Sequence, residues 1–177
     1  MSSDNFHSKK NSSKKNSSDE NSSDENIFSD SIRLMTDFDL QPVMVIENEA
    51  YNFPWTMGIM SDCLKSDYHC YVYEVDCEVR GYIIFSTVLD EMHLLNICFD
   101  PVYQNKGYGR QFINWLINFA RDINCKTLYL EVRISNQAAI HLYQNLGFNE
   151  IGLRPDYYPA KNGKEDAQLF ACELAWG

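Results

Sequence analysis

The segment at residues 104–110, QNKGYGR, combines two closely spaced glycines with two basic side chains. It follows an apolar run that ends at Phe99, and it precedes a run with helical apolar spacing. The first N–H groups of a helix have no partner within the helix, and the helix dipole is positive there. Because glycines let a bulky anion approach the backbone and Lys106 and Arg110 add positive charge, the pattern is typical of a phosphate-binding turn.

Two nucleotide-binding motifs do not fit this turn. A dinucleotide fingerprint needs a third glycine where Phe112 stands, and a P-loop needs a Gly-Lys-Ser/Thr sequence that is absent. The alternative to anion binding is a turn whose glycines only allow the helix to pack tightly on the strand. The residues by themselves leave both interpretations open.

Three further polar side chains lie where they could do chemistry. Asn136 and Tyr143 are seven residues apart on a predicted helix and therefore share a face. Glu131 interrupts the strand-like run LYLEVRI. The alternatives are that Tyr143 is a core aromatic and that Glu131 lies on a solvated strand face, paired with Arg133.

The elements that must position these residues follow from hydrophobic periodicity and from turn residues. Strands are predicted at 31–35, 69–75, 78–88, 92–99, 127–135, 148–154 and 166–174, and helices at 39–50, 56–65, 107–120 and 136–145. Asp39 and Thr56 are predicted helix caps, and Gly147 ends the last helix. The strands near 95 and 130 flank a crossover helix, so we expect them to be parallel neighbours.

Composition divides the chain into two parts. Residues 1–26 are near-repeats of NSSKK and NSSDE with almost no apolar surface, so we expect a disordered tail followed by one domain at 27–177. The tail has no apolar core typical of a signal peptide, and no stretch reaches the roughly 20 apolar residues of a membrane span. We therefore expect a cytoplasmic protein without membrane contact.

Charge and cysteines narrow the function classes. The formal net charge is −10, which disfavours nucleic acids and favours cationic acceptors such as amines or basic peptides. The six cysteines lack C-x-x-C spacing and do not cluster with the histidines, so we expect reduced thiols rather than a metal site or disulfides.

The motif Gln-x-x-Gly-x-Gly at a strand-to-helix junction resembles the acetyl-CoA signature of the GNAT superfamily of N-acetyltransferases. The order of predicted elements is similar to that superfamily's order. The segment EVRISNQAAIHLYQNLGF, together with FPW at 53–55, LDE at 89–91 and DYYP at 156–159, resembles more closely the RimI-type ribosomal-protein-alanine N-acetyltransferases. The resemblance runs from about Ile32 to Glu173.

The resemblance implies a fold, a co-substrate and its site. The fold would be mixed α/β (α+β): a mostly antiparallel sheet with about four flanking helices, in which a parallel pair of strands splays to hold acetyl-CoA. No metal is implied. The residues implied to bind acetyl-CoA are Ile97, Cys98, Phe99, Asn105, Lys106, Gly107, Tyr108, Gly109, Arg110 and Asn136.

The same resemblance implies catalytic roles. Glu131 would be the general base that acts on the incoming amine, and Tyr143 the general acid that protonates the leaving CoA thiolate. A phenol with a pKa near ~10 keeps its proton at neutral pH and can deliver it. The oxyanion donor would be the backbone N–H of Cys98 or Phe99.

Acceptor specificity is the least determined feature. Phe53, Trp55, Tyr157 and Tyr158 would line the acceptor slot, and Pro155 replaces an Arg that often precedes the tyrosine pair. The leading hypothesis is a monomeric enzyme that acetylates the N-terminal alanine of a small-subunit ribosomal protein. The alternatives are an enzyme with a wider range of protein N-termini, a small-molecule amine acetyltransferase, and a non-enzymatic acyl-CoA-binding module.

Overall fold

The computed structural model describes residues 30–174, and the predicted disordered tail at 1–26 lies outside them. The strands are β1 Ser31–Leu34, β2 His69–Val75, β3 Glu78–Val88, β4 Glu91–Phe99, β5 Thr127–Arg133, β6 Asn149–Ala160 and β7 Gly163–Glu173. The helices are α1 Leu40–Ala50, α2 Met57–Lys65, α3 Tyr108–Asp122 and α4 Gln137–Asn145, with 3-10 turns at Asp37–Asp39 and Pro101–Tyr103.

One seven-stranded sheet organises the described residues, in the order β1-β2-β3-β4-β5-β7-β6. Neighbouring strands are antiparallel except β4 and β5, which are parallel and are connected through α3. The predicted mixed α/β fold, with a parallel fourth and fifth strand and four helices, is confirmed.

The sheet has a separate apolar core on each face. One core contains the buried face of α3, which includes Phe112, Ile113 and Leu116, and it extends to Ile140 of α4. The other contains Val43 of α1 together with residues of α2 and β3. Side chains alternate along a strand, so Leu130 and Val132 of β5 enter the first core, while Glu131 between them faces the α1–α2 side.

The parallel pairing is short, and this shapes the whole sheet. β4 and β5 pair only where Glu91–Leu94 meets Thr127–Leu130, after which the two strands separate. The β3–β4 register also shifts between Ile84 and Phe85, which leaves Leu95 as an extra residue on β4. A cleft therefore opens between the C-terminal halves of β4 and β5.

Two local predictions differ from the structure. The sequence pattern ends the sixth strand at residue 154 and begins the seventh at 166, but β6 continues to Ala160 and β7 begins at Gly163, so the turn is confined to positions 161 and 162. Asp39 precedes α1 without capping it through its side chain, because its carboxylate instead binds the Arg33 guanidinium at 2.8 Å and the Thr36 N–H at 2.8 Å.

Two further features of the described residues are the burial of the cysteines and the length of the helices. All six cysteines are free, and of these only Cys77 is exposed, so the thiols are mostly buried. Between residues 30 and 174, none of the helices combines the length and apolar character that a membrane crossing requires.

We expect Gly81→Ala to lower the free energy of unfolding by about 1–3 kcal/mol, the usual range for overpacking. A Cβ at Gly81 would lie 2.6 Å from the Phe99 ring and 3.0 Å from the Cys98 carbonyl oxygen. Gly152→Ala is the matched strand control, since its Cβ would meet none of the described atoms within 4 Å. Thermal denaturation of both variants measures the effect, and equal melting temperatures would contradict this account of the β3–β4 contact.

Candidate active site

A cleft of about 1650 Å³ lies where β4 and β5 separate. This volume exceeds the roughly 300–1,000 Å³ of a typical small-ligand pocket, so the cleft has room for two reactants. Of the sixteen residues predicted to form the site, thirteen line it: Phe53, Trp55, Ile97, Cys98, Phe99, Asn105, Gly107, Gly109, Arg110, Glu131, Asn136, Tyr143 and Tyr158. The structure thus brings residues from distant parts of the sequence to one place.

The glycine turn forms one wall of this cleft. Gly107 precedes the first residue of α3 with φ 93°, and Asn105 also has a positive φ of 58°. A Cβ at Gly107 would meet none of the described atoms within 4 Å, and one at Gly109 would make only an ordinary 3.5 Å contact with Leu142. Tight packing therefore does not explain the two glycines. The open space in front of the α3 N-terminus favours the anion-binding interpretation.

The backbone of β4 presents alternate residues to the cleft. The Asp100 N–H donates to the Arg80 carbonyl, so in this antiparallel register Cys98 bonds to β3 while Ile97 and Phe99 face away from it. In agreement, the Ile97 carbonyl accepts a hydrogen bond from the Tyr51 hydroxyl at 3.0 Å. The N–H groups of Ile97 and Phe99, rather than that of Cys98, are therefore directed toward the cleft.

Gln104 connects the turn to the same strand. Its side-chain amide donates to the Phe99 carbonyl oxygen at 2.9 Å. This bond ties the start of the glycine turn to the end of β4 and uses an acceptor that the separation of the strands leaves without a ladder partner. The first residue of the motif is therefore structural, which spacing alone did not indicate.

Helix α4 carries the two polar residues predicted to share a face. Asn136 caps the helix, since its side-chain oxygen accepts the Ala139 N–H at 3.2 Å, and it also lines the cleft. Tyr143 is only 6% exposed and packs against Phe148 and Phe170, so it belongs to the core as well as to the cleft wall. Burial raises the pKa of the Tyr143 hydroxyl, which keeps it protonated at neutral pH.

Glu131 lies on the opposite face of β5 from Leu130 and Val132, toward the α1–α2 side. One carboxylate oxygen is 2.8 Å from the Arg154 guanidinium. The alternative pairing with Arg133 is wrong, because the guanidinium of Arg133 binds the Pro159 carbonyl at 2.8 Å and lies 3.7 Å from Glu165. The partner comes from β6, two strands away in the sheet.

A buried carboxylate holds the loop that carries Phe53 and Trp55. Glu47 of α1 is 1% exposed, accepts the Trp55 N–H at 2.7 Å and is hydrogen-bonded by the Tyr82 hydroxyl. Burial raises the pKa of the Glu47 carboxyl. Sequence analysis missed this residue, since a single acid in an amphipathic helix gives no sign that it is buried.

Three predicted site residues do not line the cleft. The Lys106 ammonium lies 5.2 Å from the centre of the Tyr103 ring, and Tyr108 stacks on Phe99 in the first core. The Arg154 guanidinium lies over the Tyr157 ring, 4.8 Å from the ring centre. Within the described chain, no group of three or more His, Cys, Asp or Glu side chains is arranged to hold a metal ion.

Comparisons with known proteins identify the family to which the chain is similar. The model of the Acetyltransferase (GNAT) family matches residues 40–148. The [Ribosomal protein bS18]-alanine N-acetyltransferase of Escherichia coli strain K12 is 37% identical over 146 residues, which cover 82% of this chain and 99% of that protein. The enzyme of the same name from Haemophilus influenzae is 36% identical over 137 residues, covering 77% and 93%.

A solved structure supports the same relationship. The crystal structure of the ribosomal-protein-S18-alanine N-acetyltransferase from Escherichia coli superposes with a TM-score of 0.79 at 36% identity. The match covers 84% of this chain and 96% of that one.

We expect Glu47→Ala to destabilise the protein by about 1–3 kcal/mol, because it leaves the buried Tyr82 hydroxyl and the Trp55 N–H without their acceptor. Glu47→Gln should retain most of the stability, since an amide can bond both groups. The loosened loop in the alanine variant should also raise the acceptor KM. Thermal denaturation and acceptor titration measure the two effects, and an alanine variant as stable as wild type would contradict them.

The same pair of variants tests the raised pKa of Glu47. A folded pKa above the unfolded value of about 4.5 means that the folded state binds the proton more tightly. The stability due to this group is therefore complete below pH 4.5 and is lost as the pH rises through the folded pKa. Glu47→Gln should lack this decline when melting is measured across that range.

Proposed function

The chain belongs to the GNAT acetyltransferase family, and on that premise we propose that it transfers acetyl groups from acetyl-CoA to the N-terminal alanine of a small-subunit ribosomal protein. The observation that carries the proposal is the cleft between β4 and β5, which has the glycine turn at one wall and Glu131 at another. The similarity to enzymes named for ribosomal protein bS18 supports this choice of acceptor. Such an enzyme would meet its acceptor in the cytoplasm and would act as a monomer.

The glycine turn fits the diphosphate of acetyl-CoA. The N-terminal N–H groups of α3, with open space before Gly107, provide donors for phosphate oxygens. Arg110 also lines the cleft and adds positive charge beside them. The exposed backbone groups of Ile97 and Phe99 would bind the amide-containing arm, and Asn136 would contact it from α4.

Glu131 is the proposed general base. An N-terminal amine has a pKa of roughly 7.7–8.0, against about 10.4 for lysine, so at neutral pH it needs only modest help to lose its proton. Glu131 would accept this proton directly or through one water. Glu131 lines the same cleft as Phe53, Trp55 and Tyr158, and the Tyr158 hydroxyl donates to its backbone carbonyl at 3.2 Å. This arrangement suits an acceptor that enters from the α1–α2 face.

Tyr143 is the proposed general acid. When the amine nitrogen bonds to the acetyl carbon, the carbon–sulfur bond breaks and the sulfur needs a proton. The Tyr143 hydroxyl supplies this proton and regains one by way of solvent from the acceptor nitrogen, which loses its second proton as it becomes a neutral amide. Its burial among Phe148 and Phe170 fixes the ring and holds the hydroxyl protonated until that moment.

A backbone N–H stabilises the charge that develops on the acetyl oxygen. The β3–β4 register supports Phe99, one of the two predicted donors, and adds Ile97, while the N–H of Cys98 faces β3. The Cys98 thiol is not proposed as a nucleophile, because it is buried and its pKa is raised to about 12.

A wider range of protein N-termini is the second candidate function. The bulged β6 carries Tyr157, 41% exposed, and Tyr158, which borders the cleft. Pro155 stands directly before Asp156, which has a positive φ of 50°. A hairpin of this shape could hold the backbone of a peptide without selecting its first side chain.

A panel of synthetic peptides that differ at their first two residues distinguishes the two candidates. If alanine is selected, its peptide should exceed the others in kcat/KM by about tenfold or more, since this ratio reports discrimination. A matched peptide with a blocked N-terminus and one internal lysine should not be acetylated. Equal rates across the panel would reject the narrow function, and rapid lysine acetylation would reject α-amine specificity.

We expect Tyr143→Phe to lower kcat by about 10²–10⁴-fold while the Kd for acetyl-CoA changes little, because the variant removes only the proton donor. Calorimetry measures the binding and a thiol-release assay the turnover. Tyr129→Phe is the matched control, since this tyrosine on β5 stacks on His93 and does not line the cleft. Unchanged turnover in Tyr143→Phe would remove the hydroxyl from the mechanism.

A further inference from the structure

Arg154 reaches the proposed base through an irregularity in the sheet. On β6 three residues separate Arg154 from Tyr158, whereas their partners on β7, Ala167 and Glu165, are separated by one. The bulge is held at its apex, where the Asp156 N–H donates to the Asp166 carboxylate at 2.9 Å. Residues 154–158 therefore form a fixed loop of strand beside the cleft.

The position of Arg154 in the sheet explains how its side chain crosses two strands. Ala167 of β7 pairs with Arg154 on one side and with Arg133 of β5 on the other, so these three side chains share a face. Ala167 is small and fully buried, so the long Arg154 side chain can pass over it. Its guanidinium then reaches Glu131, which is two residues before Arg133 on the same face.

The Arg154–Glu131 ion pair can open at little cost in free energy, because both side chains are partly exposed to solvent. The side chain of Arg154 is 50% exposed and that of Glu131 27%. Ion pairs this exposed contribute little to stability. The Arg154 guanidinium also stacks on the Tyr157 ring at 4.8 Å, and this second contact can hold it close by after it leaves the carboxylate.

We propose that the Arg154 guanidinium occupies the position of the acceptor's ammonium group on Glu131 and is displaced when the acceptor binds. This inference rests on the proposed function, because it takes Glu131 as the base. A base must lie within hydrogen-bond reach of the proton that it accepts. The carboxylate oxygen nearest Arg154 is already engaged at 2.8 Å, so an incoming ammonium competes with the guanidinium for it.

The exchange gives Glu131 a positively charged partner both before the acceptor binds and when the acceptor first arrives. The Arg154 guanidinium, which stays charged at all physiological pH values, is replaced by the acceptor's ammonium group, which can give up a proton. After transfer Glu131 releases the accepted proton to solvent, and the acceptor nitrogen, now a neutral amide, no longer competes for the carboxylate. Arg154 then returns, which favours release of the acetylated product. Arg154 is in this sense a positioning residue that acts through Glu131.

The test compares acceptor kinetics of the full chain and its Arg154→Ala variant at saturating acetyl-CoA, with a synthetic peptide that begins with alanine. Removing the competitor should lower the peptide KM by about two- to five-fold, the range expected from an exposed ion pair, with a smaller change in kcat. Arg154→Lys should keep a KM near that of wild type. Lys164→Ala is the matched control, since it removes a positive charge from the same exposed hairpin without contacting Glu131.

Added guanidinium ion provides a second measurement. At tens of millimolar it should inhibit Arg154→Ala competitively with the peptide and raise its KM toward the wild-type value. Sodium chloride at equal ionic strength should raise the peptide KM of this variant less than guanidinium does. Wild type, which carries its own guanidinium, should respond weakly.

The outcomes distinguish a failure of the Arg154 exchange from a failure of the proposed function. A peptide KM that stays the same or rises in Arg154→Ala, while wild type acetylates the peptide normally, would overturn the exchange and leave the proposed function standing. Loss of kcat with a lowered melting temperature would assign Arg154 a structural role and also overturn it. A wild-type enzyme that does not acetylate the peptide would reject the proposed function and the exchange together.

Discussion

The separation of β4 from β5 after four paired residues is the constraint on which the rest of the site depends. Ending a parallel ladder inside a sheet leaves backbone N–H and C=O groups without partners, and such groups are costly unless something else bonds them. Here the Tyr51 hydroxyl and the Gln104 amide bond two of the carbonyls on β4. The remaining groups at this edge, such as the N–H groups of Ile97 and Phe99, are directed toward the cleft. The strip of β4 proposed to bind the co-substrate is therefore made of backbone and needs no particular side chain.

The two faces of the sheet contribute different residues to the cleft. The face packed by α3 and α4 supplies the helix N-terminus and Tyr143, whereas the face packed by α1 and α2 supplies Glu131 and the loop held by Glu47. Because the cleft passes between the strands, groups from both faces can reach one reacting centre. This arrangement explains how the proposed proton acceptor, Glu131, and the proposed proton donor, Tyr143, can line one cleft although they belong to opposite sides of the sheet.

Much of the fold and part of the site could be predicted from local patterns. The α3 stripe of Phe112, Ile113 and Leu116 and the glycine turn depend on residues close in sequence, and both were found. Contacts across the sheet were not found: Arg154 meets Glu131 only because β7 inserts between β5 and β6 and carries Ala167. No spacing in the sequence records that register. Glu47 was missed for a related reason, since its burial depends on Tyr82, 35 residues away.

The acidity of the chain and the proposed binding of a phosphate-bearing co-substrate are compatible because the two effects act over different distances. The charge of −10 produces a long-range field that is screened beyond about 8 Å at physiological salt. Inside that distance, the N-terminal N–H groups of α3 and the Arg110 side chain determine the local potential at the glycine turn. On the acceptor side Glu131 and Glu165 border the cleft, but so do Arg133 and Lys161, and Arg133 lies 3.7 Å from Glu165. The local attraction for a cationic N-terminus therefore depends on Glu131. Among the described contacts, Arg154 is the cation that pairs with Glu131 itself, which is why its removal should affect the acceptor and leave the binding of acetyl-CoA unchanged.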